Sequence, residues 1–147
     1  METLIERIQR HEGFRSVPYR DSLGHFTIGI GTLITEDQAQ ELAHGVSYEW
    51  AYDRMVNDLQ KMRKDLLTTY PWMSELSAIR LDTFTEMAYQ LGVAGLMKFR
   101  DMLYCARSND PEGVAREMLN SLWHRQTPAR CEELADLYLA NGEENGS

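Results

Sequence analysis

Residues 11–31 of this chain read HEGFRSVPYRDSLGHFTIGIG, and the residues on either side follow a different pattern. Before this stretch, residues 1–12 place their apolar side chains at helical spacing, which predicts a helix that ends at the first glycine. Within residues 14–34, aromatic and β-branched residues alternate with glycines and a proline, which is typical of strands and turns. We therefore predict a small antiparallel hairpin or three-stranded sheet, with a tight turn at residues 22–24.

The rest of the chain has a helical pattern. Thr35 and Gln38 have the spacing of a capping box and predict the start of a helix that ends near Gly45. Ser47 is predicted to cap a long helix that runs to about Thr68, where a Tyr-Pro pair breaks it. The remaining predicted helices cover residues 74–91, 94–107, 111–124 and 128–140, followed by a frayed tail at 141–147.

These elements predict an α+β fold that is predominantly helical. We expect one domain over residues 1–147, with a small N-terminal antiparallel sheet lobe at about 13–46. A linking helix at about 47–68 would join it to a larger helical lobe at about 69–140, which includes the N-terminal helix. A polymeric substrate would lie in a cleft between two such lobes.

Composition and charge exclude several classes of function. The chain has 147 residues and a net charge of −8, without the basic patch that nucleic-acid binders usually carry. No apolar run approaches the ~20 residues of a membrane-spanning helix, and no export signal is recognisable at the start. His11-Glu12 is not the start of a zinc-binding helix, because Arg15 stands where the second histidine is needed. We therefore expect no metal site, no cofactor, no nucleic acid and no membrane insertion.

Glu12, Asp21 and Thr27 are the candidate catalytic residues. Glu12 ends the first predicted helix, Asp21 lies at the edge of the sheet region, and Thr27 is on the following strand. A glycosidase needs one carboxyl group that donates a proton and a second, ionised one that activates water or stabilises positive charge. A hydroxyl group beside them is able to orient that water. The alternative is ordinary: among 23 acidic residues, a Glu–Asp pair at this spacing is commonly two solvated surface groups.

Three separated motifs occur in a fixed order. The first joins Glu12, Asp21 and Thr27, with eight residues between the first two, five between the second two, and a glycine-alternating strand after them. The second, AYQLGVAG, covers residues 88–95, and the third, WHRQTPAR, covers residues 123–130. Together, over about residues 4–135, they resemble the phage-type lysozymes, the family of the T-even phage muramidase and related endolysins.

The resemblance implies a lysozyme-like fold and hydrolysis of the β-1,4 bond between N-acetylmuramic acid and N-acetylglucosamine in bacterial peptidoglycan. It implies that Glu12 is the general acid and that Asp21 and Thr27 position the nucleophilic water. It also implies inversion at the anomeric carbon, which requires carboxyl groups ~6.5–9.5 Å apart rather than ~5–5.5 Å.

The resemblance also implies residues that support the site. Leu33, Tyr89 and Gln90 would contact the substrate, and Arg130 would form an ion pair with the catalytic glutamate. For Tyr89 and Leu33, packing in the core is an equally good interpretation, and for Arg130 the alternative is an exposed surface pair.

Three departures from the family pattern stand out. Thr32 replaces a histidine that often follows the strand, the segment after Leu33 is short, and the chain is acidic where many relatives are basic. Peptidoglycan carries stem-peptide carboxylates, so an acidic enzyme lacks long-range electrostatic capture. We expect weaker binding or delivery by another route, such as a virion.

Two other functions stay open at this point. The chain could be a catalytically inactive wall-binding or virion structural module with a lysozyme fold, or a hydrolase of a related glycan such as a chitin-like chain. In the favoured interpretation its partner is the peptidoglycan glycan strand, and it acts as a monomer or within a virion. We expect synthesis in the host cytoplasm and action on the wall after release.

Overall fold

The computed structural model describes residues 1–140, so the predicted tail at 141–147 lies outside the described residues. The chain forms two compact units, Met1–Met62 and a second one that begins at Arg63. The boundary lies within the long helix predicted from Ser47. The first unit contains the N-terminal helix and the sheet; the single domain and its lobe boundaries stay a prediction.

In the first unit, helix α1 (Leu4–Glu12) leads into a sheet of three short strands. Thr3 begins α1 with a capping box, because its side chain accepts from the backbone N–H of Glu6 while the Glu6 side chain accepts from the backbone N–H of Thr3. The sheet consists of β1 (Arg15–Arg20), β2 (Phe26–Gly29) and β3 (Thr32–Leu33) in the order β1-β2-β3.

Both strand pairs are antiparallel, and their register aligns the middle of the sheet. Tyr19 pairs with Thr27 across β1 and β2, and Thr27 pairs with Leu33 across β2 and β3. An irregularity between Arg15 and Tyr19 interrupts the first pairing, and it contains Pro18, which has no N–H to donate to a neighbouring strand.

Helices α2 (Glu36–Glu41) and α3 (Tyr48–Thr69) follow the sheet, and both begin as predicted. Thr35 and Gln38 form the predicted capping box. The hydroxyl oxygen of Ser47 accepts from the backbone N–H of Trp50 at 3.0 Å, so the predicted cap of the long helix is confirmed.

The second unit consists of the end of α3, a 3-10 helix and six further α-helices. They are the 3-10 helix Pro71–Glu75, α4 (Ala78–Leu91), α5 (Val93–Met97), α6 (Arg100–Arg107), α7 (Pro111–Leu119), α8 (Leu122–Gln126) and α9 (Pro128–Ala140).

Three predicted boundaries were wrong. The helix predicted from residue 74 begins at Ala78, because the chain first forms the 3-10 turn and Ser77 then caps α4. The helix predicted at 94–107 is broken at Lys98 and Phe99 into α5 and α6. The helix predicted at 111–124 is broken before Ser121, whose hydroxyl accepts from the backbone N–H of His124 at 3.1 Å and starts α8.

The cores are built mainly from helix side chains. Several aromatic and methionine side chains of the helices are fully buried, namely Met55, Phe84, Met87 and Trp123, while those of Trp50, Met62 and Trp72 are partly exposed. Within residues 1–140, no helix is both long enough and apolar enough to cross a membrane. The predicted α+β class, mostly helical with a small antiparallel sheet, is confirmed.

Candidate active site

Glu12 lies against the backbone of the turn between β2 and β3. It is the last residue of α1, and Gly13, with φ +62°, ends the helix. A Cβ atom placed on Gly31 would lie 2.8 Å from Oε1 and 2.6 Å from Cγ of Glu12, closer than real Cβ contacts allow. Gly31 also has φ +73°, which L side chains rarely adopt. A side chain at residue 31 would therefore force the Glu12 carboxyl group to move, and the backbone conformation there favours glycine as well.

Asp21 is fixed by the turn that follows β1. Its Oδ1 accepts from the backbone N–H of Leu23 at 2.9 Å and from that of His25 at 2.8 Å. Its Oδ2 lies 3.7 Å from Nδ1 of His25, which is beyond hydrogen-bond length. The side chain is 17% exposed, so Oδ2 keeps its lone pairs available to a water molecule.

Thr27 lies in the middle of the sheet with its hydroxyl group already committed as a donor. Its Oγ1 donates to the backbone oxygen of His25 at 2.9 Å. The oxygen is then left to act as an acceptor, which is the role needed to orient the proton of a water molecule. Because directly paired residues of adjacent strands point to the same face, Tyr19, Thr27 and Leu33 share one face of the sheet.

Tyr19 is a partly buried residue whose phenol is influenced by the charges of Glu12 and Asp21. Burial raises the pKa of the Tyr19 phenol, and the negative charges of Glu12 and Asp21 raise it further, against the guanidinium of Arg15. That guanidinium lies 4.4 Å from the centre of the Tyr19 ring. Glu12 and Asp21, both in the first unit, therefore contribute to the electrostatic environment of the same phenol. Tyr19 was not among the predicted site residues, although it lies in the same Tyr-Arg-Asp tripeptide as Asp21.

In the second unit, Gln90 on α4 belongs to a polar cluster. Nε1 of Trp123 donates to Oε1 of Gln90 at 3.0 Å, and Nε2 of Gln90 donates to Oγ1 of Thr127 at 3.3 Å. Gln90 is 6% exposed and its neighbour Tyr89 is 1% exposed. The side-chain amide of Gln90 is thus held in one orientation, and substrate contacts by Gln90 and Tyr89 stay predictions.

Arg130 on α9 pairs with the buried carboxylate of Glu86, which was not among the predicted site residues. Its Nε donates to Oε2 of Glu86 on α4 at 3.1 Å. The Glu86 side chain is completely buried and that of Arg130 is 9% exposed. The sequence gives only a partial signal for Glu86: it lies close to Phe84, Met87 and Ala88 on α4, but a second acidic residue, Asp82, lies one turn before it. The pairing of Arg130 with the catalytic glutamate stays a prediction.

The first unit supplies the chemical groups of an acid-assisted hydrolysis. They are a carboxyl group at a helix end, a second carboxylate held by turn amides, and a hydroxyl oxygen that accepts a hydrogen bond. Among residues 1–140, no three His, Cys, Asp or Glu side chains are grouped to hold a metal ion.

Comparison with known proteins decides the family. The sequence model of the family described as phage lysozyme matches residues 9–137. The chain belongs to the phage lysozyme family. The predicted resemblance is thereby confirmed, and membership supports lysozyme-like glycoside hydrolase activity in general terms.

Individual relatives of this phage lysozyme are distant. The pre-baseplate central spike protein Gp5 of Enterobacteria phage T4 is 27% identical, over 97% of this chain but only 28% of the spike protein. Probable T4-type lysozyme 1 of Dictyostelium discoideum is 26% identical, over 88% of this chain and 89% of that protein. Peptidoglycan hydrolase gp36 of Pseudomonas phage phiKMV is 25% identical, over 86% of this chain and 14% of that protein. The chain thus spans a small part of the two phage relatives.

We expect Gly31→Ala in this phage lysozyme to abolish most wall-clearing activity, because the new methyl group and the Glu12 carboxyl would occupy the same space. Turbidity clearing of permeabilised Gram-negative cells measures the loss, and thermal unfolding shows whether the protein stays folded. Gly92→Ala is the matched control, since Gly92 has φ +81° but nothing within 4 Å of a new Cβ. Equal losses of activity in the two variants would show that backbone strain alone is responsible.

We expect Arg130→Ala to lower the free energy of unfolding by about 3–5 kcal/mol, because it removes the cation beside a buried carboxylate. Arg54→Ala is the control: Arg54 pairs with Asp58 on α3 with both side chains partly exposed, so the expected cost is only about 0–1 kcal/mol. Urea denaturation measures both. A cost for Arg130→Ala no larger than that of Arg54→Ala would contradict the buried pair.

Proposed function

We propose that this phage lysozyme is a muramidase that hydrolyses the β-1,4 bond between N-acetylmuramic acid and N-acetylglucosamine in bacterial peptidoglycan. The observation that carries the proposal is the Glu12 carboxyl packed on the Gly31 backbone, in the same unit as a turn-bound Asp21 and the Thr27 hydroxyl. The printed names of two relatives, a T4-type lysozyme and a peptidoglycan hydrolase, support the same substrate.

In the proposed reaction, Glu12 donates its proton to the glycosidic oxygen as that bond breaks. Oδ2 of Asp21 and Oγ1 of Thr27 accept hydrogen bonds from one water molecule, and Asp21 takes its proton as the water attacks the anomeric carbon. The backbone N–H groups of Leu23 and His25 donate to Oδ1 of Asp21 and hold this side chain in one position, so that Oδ2 is the oxygen that meets the water.

The supporting residues take proposed roles around this reaction. Leu33 shares the sheet face of Thr27, so it is placed to contact the sugar beside the water. Gln90 and Tyr89 are proposed to contact the glycan strand, and Arg130 is proposed to form an ion pair with Glu12. The protein is proposed to need no cofactor and no metal and to work as a monomer.

A second proposal concerns where the protein acts. The spike protein that resembles 97% of this chain is named as part of a phage pre-baseplate, which supports a role within a virion that penetrates the wall. A free endolysin that reaches the wall after release is the alternative. Antibodies against this chain would detect it in purified virions in the first case and only in lysates in the second.

We expect Glu12→Gln to lower the initial rate of wall hydrolysis by about two to four orders of magnitude, because general acid catalysis contributes that much. Glutamine keeps the size of the side chain, so the thermal unfolding temperature should change little. Asp21→Asn should also be strongly impaired, because its carbonyl oxygen still accepts from the turn amides while the charge is lost.

Glu41→Gln is the matched control, since Glu41 is an exposed residue at the end of α2. It should clear the wall at the parent rate. A Glu12→Gln variant that clears the wall as fast as this control would refute the proposal, and an inactive parent that still binds wall would favour the wall-binding module.

We expect the first product to have the inverted anomeric configuration, because water attacks the face opposite the leaving oxygen. Proton NMR of the reducing end, recorded before mutarotation, measures the configuration directly. Retention would instead require a covalent intermediate and carboxyl groups ~5–5.5 Å apart.

A further inference from the structure

Two columns of side chains lie next to each other at the start of α3 in the first unit. Tyr48 and Tyr52 form one column, and Glu49 and Asp53 form the other, because residues four apart on a helix are neighbours on its surface. These four residues line a pocket with a volume of about 430 Å³. None of them belongs to the candidate active site.

The aromatic side of this pocket is fixed in place although it is open to solvent. Phe14 packs edge-on against Tyr48 with ring centres 5.4 Å apart, and Tyr48 and Tyr52 lie 6.4 Å apart at 33°. Nε2 of Gln9 donates to the Tyr48 hydroxyl at 2.7 Å. Tyr48 is nevertheless 49% exposed and Phe14 40% exposed. A ligand would meet rings whose rotamers are already set, so little conformational entropy is lost on binding.

The acidic side of the pocket offers only hydrogen-bond acceptors. Glu49 and Asp53 are exposed, and within residues 1–140 neither carboxylate has a hydrogen bond or an ion pair. Their oxygens are therefore available to a ligand that brings several O–H or N–H donors. The same negative charge repels an anionic ligand.

We propose that this pocket is a second sugar-binding site, which takes a neutral β-1,4-linked N-acetylhexosamine strand. Tyrosine rings pack against the apolar C–H faces of the sugar rings, while the carboxylates of Glu49 and Asp53 accept from sugar hydroxyl and amide groups. The inference rests on the proposed function, since such a strand is the backbone of the proposed substrate. The site would hold the glycan while the catalytic groups act on it.

A sugar fits this pocket better than a protein surface does. The volume of the pocket lies in the range of sites for small ligands. Protein interfaces bury a larger surface, and their centres are depleted of Asp and Glu. Covering Glu49 and Asp53 with a protein would leave two carboxylates buried unless the partner brought cations. Sugar hydroxyl groups satisfy them without that requirement.

The test titrates the β-1,4-linked tetramer of N-acetylglucosamine into the full, isotope-labelled chain carrying Glu12→Gln, which prevents turnover of the probe. Amide NMR signals of residues 48–53 should shift in a saturable way. Tyr48→Ala in this background should weaken binding at these signals about tenfold, by loss of the ring contact. Tyr104→Ala is the control, because Tyr104 is 71% exposed on α6, and it should leave these signals unchanged.

A second variant shows whether weaker binding by Tyr48→Ala comes from the lost ring contact or from a local loss of structure. Glu49→Gln with Asp53→Asn keeps both shapes and all aromatic packing, and it should also weaken binding of the tetramer while the unfolding temperature is retained. Shifts confined to residues outside 48–53, an equal loss in Tyr104→Ala, or shifts that depend on protein concentration without the tetramer would each overturn the inference. The last result would assign the surface to a second copy of the chain.

Clearing of wall by the parent protein is measured beside this titration, so that the two proposals fail separately. A parent that clears wall without shifts at residues 48–53 overturns the second site alone. A parent that binds the tetramer at these residues but never clears wall overturns the muramidase proposal alone.

Discussion

The Glu12 carboxyl group occupies its position only because residue 31 has no side chain. Helix α1 ends at this glutamate, and the turn between β2 and β3 passes directly beneath the carboxyl. Any larger residue at 31 would push either the glutamate or the turn away. The end of α1 and the turn of the sheet are therefore placed by one contact, and Thr27 and Leu33 flank that turn in a fixed register.

Polar contacts in the second unit specify packing at some cost in stability. A buried ion pair such as Glu86–Arg130 loses the hydration of both charges, and an apolar pair of the same size is often as stable or more so. The pair joins α4 to α9, and the contacts of Gln90 with Trp123 and Thr127 join α4 to α8 and the start of α9. Such directional contacts favour one arrangement of these helices over others that would bury the same apolar area.

The sequence predicts elements well where local chemistry decides them, and poorly where tertiary contacts do. The helix caps at Thr35 and Ser47 were predicted correctly, because a cap joins a side chain to the backbone N–H only three residues later in the chain. The break at Lys98 and Phe99 has no proline or glycine to mark it, so periodicity alone joined two helices into one.

In the candidate site, too, local sequence identifies some residues, while tertiary contacts decide the rest. Glu12, Asp21 and Thr27 are recognisable because their motif resembles that of the phage lysozymes. The sequence does not show that backbone amides of the turn donate to the Asp21 carboxylate, or that the Thr27 hydroxyl donates to the backbone oxygen of His25. The roles of Tyr19 and Glu86 were not predicted, because they depend on the burial of these side chains and on the charges that the fold brings next to them. A net charge of −8 then fits a ligand recognised through such short-range contacts. Peptidoglycan also carries stem-peptide carboxylates, which this charge repels, so binding has to come from contacts at the sugar rings and not from long-range attraction.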